Sequence, residues 1–282
     1  MGLEGAKRFV PAPLKAAGRR GALRLDSARN TARTVTGSVL VVDGVCAICG
    51  EHGRFREPVD SNFAARSFPC PACAAPVRFR NEAAVILDEL GTGRHLSLQT
   101  FVDDAVTQSL SWYNTGIAGP VCAALRQLPN YVESTYWPDD VADTDRRGIR
   151  HEDLQALSFD DDTFDVVTSS HVLEHVAEPA HAFSELFRVV RPGGRLIFSI
   201  PISWPPPHTS IRRAHVEGNT IVHDLPAMYH DAPDGEPSLV FTDFGSDVLE
   251  SLADAGFIAS QRRPHLGVQF AQRDSVFVAI KA

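Results

Sequence analysis

Cys46, Cys49, Cys70 and Cys73 read "CAIC" and "CPAC", with twenty residues between the pairs. Each tight turn offers two thiolates, and two such turns close a tetrahedron around a soft divalent cation. The spacing therefore predicts a structural zinc site. Gly50 behind one pair and Pro71 inside the other suit turns of that kind. Four protein ligands leave no open coordination position, so the ion would hold a small module together and do no chemistry. The same sulfurs would take iron, or form two disulfides in an oxidising compartment, and a redox pair would want one CxxC at a helix N-terminus. Cys122 stands apart as a small core residue.

Titratable groups gather again in "SSHVLEHV", residues 169–176, where His171 and His175 follow the hydroxyls of Ser169 and Ser170. Imidazoles change charge near neutral pH, so either could move a proton. His175 serves equally well as a residue that orients the loop. His208, His215, His223 and His230 lie in the Pro-rich segment 202–240 and could supply a base or bind a metal. A third stretch, "NTGIAGP" at 114–120, holds Gly116 and Gly119 in the setting of a cofactor turn.

These groups need elements to place them. "FDVVTSS" is a short buried strand. Phe183, Leu186, Phe187 and Val190 fall at i, i+3, i+4 and i+7 and mark one helix face. "RPGG" ends that helix, and "RLIFSIP" is the next strand. Strand, helix and strand in that order make a parallel βαβ unit, which implies an α/β fold with a doubly wound, Rossmann-like sheet. Leu110 to Tyr113 forms the strand before the glycine turn, and Cys122 to Gln127 the helix after it. The chain divides into a basic, disordered arm at 1–37, a zinc-ribbon-like module at 38–82 and a main domain at 83–282. Ala84, Ile86, Leu87 and Leu90 in "NEAAVILDEL" mark the helix that joins the last two. Residues 202–240 read as a long irregular insertion covering a substrate. "FGSDVLESLADAGF" is a helix starting at Ser246 or Asp247 and stopping at Gly256, and "FIASQRR" and "DSVFVAIKA" are antiparallel final strands.

Over about residues 91–282, weakly before 149 and most literally from 149 to 201, the chain resembles class I S-adenosylmethionine-dependent methyltransferases of the type 11 group. "FDVV", "VLEHV" and "RPGG" stand in the family's order and spacing, and the cysteine pairs resemble an N-terminal zinc ribbon found in some members. The resemblance implies S-adenosylmethionine as cofactor beside structural zinc. It implies that Asp153 accepts from the adenine amino group and that the Leu154 amide donates to the ring. Ser170, between Ser169 and His171, would lie beside the methionine portion, with His171 and His175 the catalytic candidates near the transfer point. The glycine turn departs from the family pattern, lacking its acid and third glycine. Thr135 stands where a ribose-binding carboxylate is expected; Glu133 faces the same side, and Asp139 and Asp140 follow. Losing one charged hydrogen-bond partner costs roughly 1–3 kcal/mol, so the implied site is weakened and not abolished.

Charge is uneven. Residues 1–37 hold eight Lys/Arg against Glu4 and Asp26, a net of +6, and the remainder must carry −14 to reach the chain's −8. An acidic body disfavours a broad phosphate-binding surface. With 44% hydrophobic and 22% charged residues and no long apolar run, the expectation is a cytoplasmic globular enzyme without a membrane partner. Its acceptor is expected to be a small molecule or glycan, methylated at oxygen. Two alternatives stand: a methyltransferase fold kept as a binding protein, and an RNA methyltransferase gripping RNA through its zinc module.

Overall fold

The computed structural model describes residues 30–36, 39–58, 69–91, 93–137, 145–146, 149–202, 206–231, 237–262 and 274–282. Most of the basic arm, Asp139, Asp140 and Pro205 lie outside these residues. The cysteine module rests on an antiparallel sheet of β1 (Asn30–Thr36), β2 (Val39–Val45) and β3 (His52–Pro58). β1 corrects the expected division, since it comes from the stretch read as an arm and pairs with β2 from Asn30 to Thr36.

Helix α1 (Val77–Leu90) begins at "VRFR" and so runs across the expected boundary after residue 82. It is not amphipathic in the expected way. Arg80, Asn81 and Glu82 are buried along with Val77, Phe79, Ala83, Val85, Ile86 and Leu87, while Ala84 is only half-buried. The helix is buried nearly all round because it lies between the cysteine module and the main sheet.

Past α1 come α2 (Leu98–Phe101), α3 (Ala105–Gln108), β4 (Trp112–Asn114), α4 (Pro120–Leu125) and β5 (Tyr131–Thr135). Then follow β6 (Asp145–Arg146), β7 (Ile149–His151), β8 (Phe164–Ser170), α5 (Pro179–Val189) and β9 (Val190–Pro201). Six short strands come next: β10 (Ile211–Arg212), β11 (Ala214–Glu217), β12 (Thr220–His223), β13 (Tyr229–Asp231), β14 (Pro237–Leu239) and β15 (Thr242–Asp243). The chain closes with α6 (Val248–Asp254), β16 (Ile258–Arg262) and β17 (Asp274–Ile280).

The main sheet has the order β16-β17-β9-β8-β4-β5-β7-β6. β9, β8, β4, β5 and β7 run parallel, and β17 enters antiparallel between β9 and β16. The chain winds outward from β4 to β7, then returns to β8 on the other side of β4. That reversal puts a topological switch point at the carboxyl ends of β4 and β8, the crevice position at which open α/β sheets bind ligands. Val166 and Ile197 join one core with Cys46, Ile48, Phe55, Ile86 and Trp112, so the cysteine module shares its apolar contacts with the sheet. Val167 and Phe198, next along the same strands, join the other core with Phe183, Leu186, Phe244 and Phe257. Among the described residues no helix is long and apolar enough to cross a membrane.

Two expectations need correction. Val190 is the first residue of β9 and not the end of α5, and Val189 takes the buried helical position. The described residues of the segment 202–240 are not irregular: β11 pairs with β12, β13 with β14, and β10 with β15. The β11–β12 hairpin turns through Gly218 at φ +60°, within an "EGNT" sequence whose turn signal stands between two short apolar runs.

Candidate functional site

The four cysteines converge. Cys46 and Cys73 sulfurs are 3.8 Å apart, and so are those of Cys49 and Cys70. Sulfurs bound tetrahedrally at about 2.3 Å from zinc lie about 3.8 Å from one another, so the donor set fits a structural zinc. Each turn ends on a left-handed residue, Gly50 at φ +79° and Ala74 at φ +57°, whose amide donates to the carbonyl of Cys46 or Cys70. Arg80 lies buried with its guanidinium 3.7 Å from the Phe55 ring centre. Burial lowers the Arg80 pKa, and negative charge on the four sulfurs opposes that shift. The first turn also holds the body: Ala47 and Ile48 carbonyls accept from the Leu98 and Gln99 amides, satisfying otherwise orphaned donors at the start of α2.

At the crevice, "NTGIAGP" is fastened by side chains. Thr168 Oγ1 donates to Asn114 Oδ1 at 2.6 Å, and Trp112 Nε1 donates to Thr168 Oγ1 at 3.0 Å. Asn114 Nδ2 donates to the Gly116 carbonyl at 2.5 Å and approaches Cys122 Sγ at 3.2 Å. Thr115 Oγ1 meets Ser169 Oγ at 2.8 Å. The two glycines differ in kind. Gly119 sits at φ +107°, and a Cβ there would come within 2.8 Å of the Phe79 ring. A Cβ on Gly116 would touch nothing closer than Val172 at 3.8 Å.

On the far side of β4, Glu133 is already engaged. Arg126 grips both its oxygens at 2.8–3.0 Å, Tyr131 donates to it at 2.9 Å, and the same arginine donates to the Ile117 carbonyl in the glycine turn. Thr135 ends β5 half-buried. Asp153 is half-buried and its Oδ1 accepts from the Gln155 amide at 2.8 Å, an Asx turn that leaves Oδ2 with only a 3.4 Å contact to Gln155 Nε2. Leu154 is buried behind it. Glu152, held by Arg150 and Ser158, fixes the loop that carries both. Trp137 stacks on His151 with ring centres 5.8 Å apart, beside this loop.

The groups at the end of β8 have partners that sequence reading missed. Ser170 Oγ donates to Glu82 Oε2, and Ser199 Oγ reaches the same oxygen at 3.3 Å. Glu82 is fully buried, its Oε1 has no hydrogen-bond partner, and burial pushes its pKa up to about 7 despite the two hydroxyls. His171 turns the chain at φ +52°, an unfavourable conformation for a side-chain-bearing residue and one often found at functional sites. Burial lowers the His171 pKa to about 4. Glu174, quoted in "VLEHV" but assigned no role there, is fully buried among His171, His175 and His230. Burial pushes its carboxyl up, and the histidines outweigh that to hold it below the ordinary value. His208, His215 and His223 are not part of this cluster; His215 pairs with Glu217 and Asp224 instead. The one available signal for Glu82 was a carboxylate directly before the apolar run "AAVIL" of α1.

A family model described as "Methyltransferase domain" matches residues 116–198, from the glycine turn into β9. A stretch of 64 residues is 47% identical to a demethylmenaquinone methyltransferase of Clavibacter sepedonicus, covering 22% of this chain and 26% of that protein. Another of 45 residues is 53% identical to the ubiquinone/menaquinone biosynthesis C-methyltransferase UbiE of Roseobacter denitrificans, covering 16% and 18%. The chain thus spans about a quarter or less of the length of these curated relatives. Among solved structures, the sugar N-methyltransferase KedS8 from Streptoalloteichus sp. is 14% identical over 65% of this chain and 85% of that one, with a TM-score of 0.41. The matched stretch, 116–198, lies within the parallel sheet, from the glycine turn after β4 into β9, and follows the four-cysteine module in the chain.

Proposed function

We propose that the chain is an S-adenosylmethionine-dependent methyltransferase acting at oxygen on a small-molecule or glycan-type acceptor, with zinc as the structural ion of the four cysteines. The observation that carries this reading is the buried Glu82. In the resembling family an acid precedes the glycine turn; here Asn114 stands in that place and is consumed by Thr168, Gly116 and Cys122. Glu82 brings a carboxylate to the same edge from α1. Burial and then the Glu82 charge push up the thiol of Cys122, whose sulfur lies 3.8 Å from the Gly116 carbonyl. The unpartnered Oε1 suits an ammonium such as the one on the cofactor's methionine portion.

The cofactor supplies a methyl already activated on a sulfonium. The chain's task is then to align an acceptor oxygen in line with it, which can contribute several kcal/mol by positioning alone. We assign His171 to take the acceptor's proton and His175 to orient the loop. Asp153 Oδ2 and the Leu154 amide are the adenine contacts, and Thr135 the weakened ribose contact. Gly116 leaves room for close approach.

Calorimetry with S-adenosylhomocysteine tests this. Glu82→Gln should weaken binding about 10- to 100-fold, the 1–3 kcal/mol of a charged hydrogen bond. No binding by the unaltered chain at millimolar ligand would instead support the scaffold reading, which draws on the capture of Glu133 by Arg126. One relative is named a C-methyltransferase, so carbon is the competing acceptor atom, and mass spectrometry of the methylated product separates the two.

A further inference from the structure

We infer that Glu174, His175 and His230 form a second metal site, suited to a divalent first-row transition cation and distinct from the four cysteines. The Glu174 side chain is completely buried, and neither of its oxygens has a hydrogen-bond partner. Nδ1 of His171, Nε2 of His175 and Nδ1 of His230 each stand 3.7 Å from Glu174 Oε1. That is beyond hydrogen-bond reach, and a buried carboxylate is costly unless it is paired or coordinates a metal.

The tautomer of His175 sharpens the point. Its Nδ1 is 2.8 Å from the Leu239 carbonyl, which can only accept, so whenever the ring holds a single proton that proton is on Nδ1. Nε2 then turns a lone pair toward another lone pair on Glu174. A cation between them resolves that conflict, because donors about 2.1 Å from a tetrahedral metal lie about 3.4 Å apart. A carbonyl on the far ring nitrogen is also the usual means of aiming a ligating histidine. The ligand atoms of Glu174, His175 and His230 all fall within 4.8 Å of one another; His171 reaches the same oxygen but stands outside that set.

Two imidazoles and one carboxylate select a first-row transition cation such as zinc over calcium or magnesium. Three protein ligands leave a coordination position open, unlike the closed cysteine site. Glu174 and His175 belong to the 3₁₀ turn after β8, while His230 comes from β13 in the cover. The ion therefore ties the cover to the edge of the sheet. Binding does not depend on the methyltransferase reading; only a role for the open position toward an acceptor oxygen rests on it.

The test uses the full chain, stripped with chelator and titrated with zinc alone, with bound metal counted by mass spectrometry. Two zinc ions per chain are expected, falling to one in His230→Ala and in His175→Ala. His230 is partly exposed, so its variant should fold even where a change at buried Glu174 does not. In the cobalt-substituted His230→Ala variant, the sulfur-to-metal charge-transfer bands should persist while the second equivalent is lost. Saturation of the unaltered chain at one zinc, or two ions retained by His230→Ala, overturns the site. A chain that binds S-adenosylhomocysteine with a single zinc sinks this inference alone; two ions without cofactor binding sink only the enzymatic reading.

Discussion

The cysteine module and the carboxyl edge of the main sheet both gather several chemical groups, by opposite means. The module draws its four sulfurs from two tight turns, each pair three positions apart in the chain. The edge draws Glu82 from α1, Ser170 from β8, Ser199 from β9, Glu174 from the turn after β8 and His230 from β13. The first assembly is set by local backbone geometry; the second exists only when separate layers pack. The two are also coupled in one direction. α1 emerges from the cysteine module and carries Glu82, so the module acts as the mount for part of the edge.

Breaking the mount should have the largest effect. Cys46→Ser removes a ligand whose metal supplies roughly 10 kcal/mol or more in small zinc modules, as much as the whole stability margin of a typical domain. Loss of the cooperative thermal transition and of S-adenosylhomocysteine binding together is the expected outcome. Full cofactor affinity in a chain stripped of zinc would show that the two regions are independent.

Next in size is the pH response of Glu82. Its pKa in the folded chain, about 7, lies above the ordinary value near 4.5. The stability of the protonated form is thus fully present below about pH 4.5 and is lost as pH rises through about 7, for a total of roughly 3 kcal/mol. Ligand affinity should run the other way, since an ammonium prefers the ionised carboxylate. Denaturant unfolding and calorimetry between pH 5 and 8, on the unaltered chain and on Glu82→Gln, should show these opposed slopes in the first and neither in the second. Equal slopes in both proteins would remove Glu82 from the cofactor site.

The smallest contrast lies within the glycine turn. Gly119→Ala meets a left-handed backbone and the Phe79 ring, and should cost about 1–3 kcal/mol of folding stability. Gly116→Ala has room, so its stability should change by less than about 1 kcal/mol while S-adenosylhomocysteine binding weakens. Thermal melts and calorimetry on both variants check this. Equal effects on stability would make Gly116 another packing glycine.

Much of the architecture was legible along the chain. The strand-helix-strand pattern from Phe164 to Pro201 and the apolar face of Phe183 and Leu186 report local periodicity, and they were read correctly apart from Val190 and the "RPGG" after it, which was read as a turn and lies within β9. The β11–β12 hairpin was overlooked although its glycine turn was visible. The site was less legible. Glu82 sat in a helix taken as a connector, and Glu174 in a motif valued for its histidines.

From the chain alone one could name the four clustered cysteines and the parallel sheet, because a turn or a repeat of apolar residues needs only near neighbours. That Glu82 meets Ser170 and Ser199, and that His230 stands beside Glu174, was settled by folding. Ser170 and Ser199 lie 88 and 117 positions from Glu82. Burial and contact between such distant residues arise from how layers stack, and no local pattern encodes them.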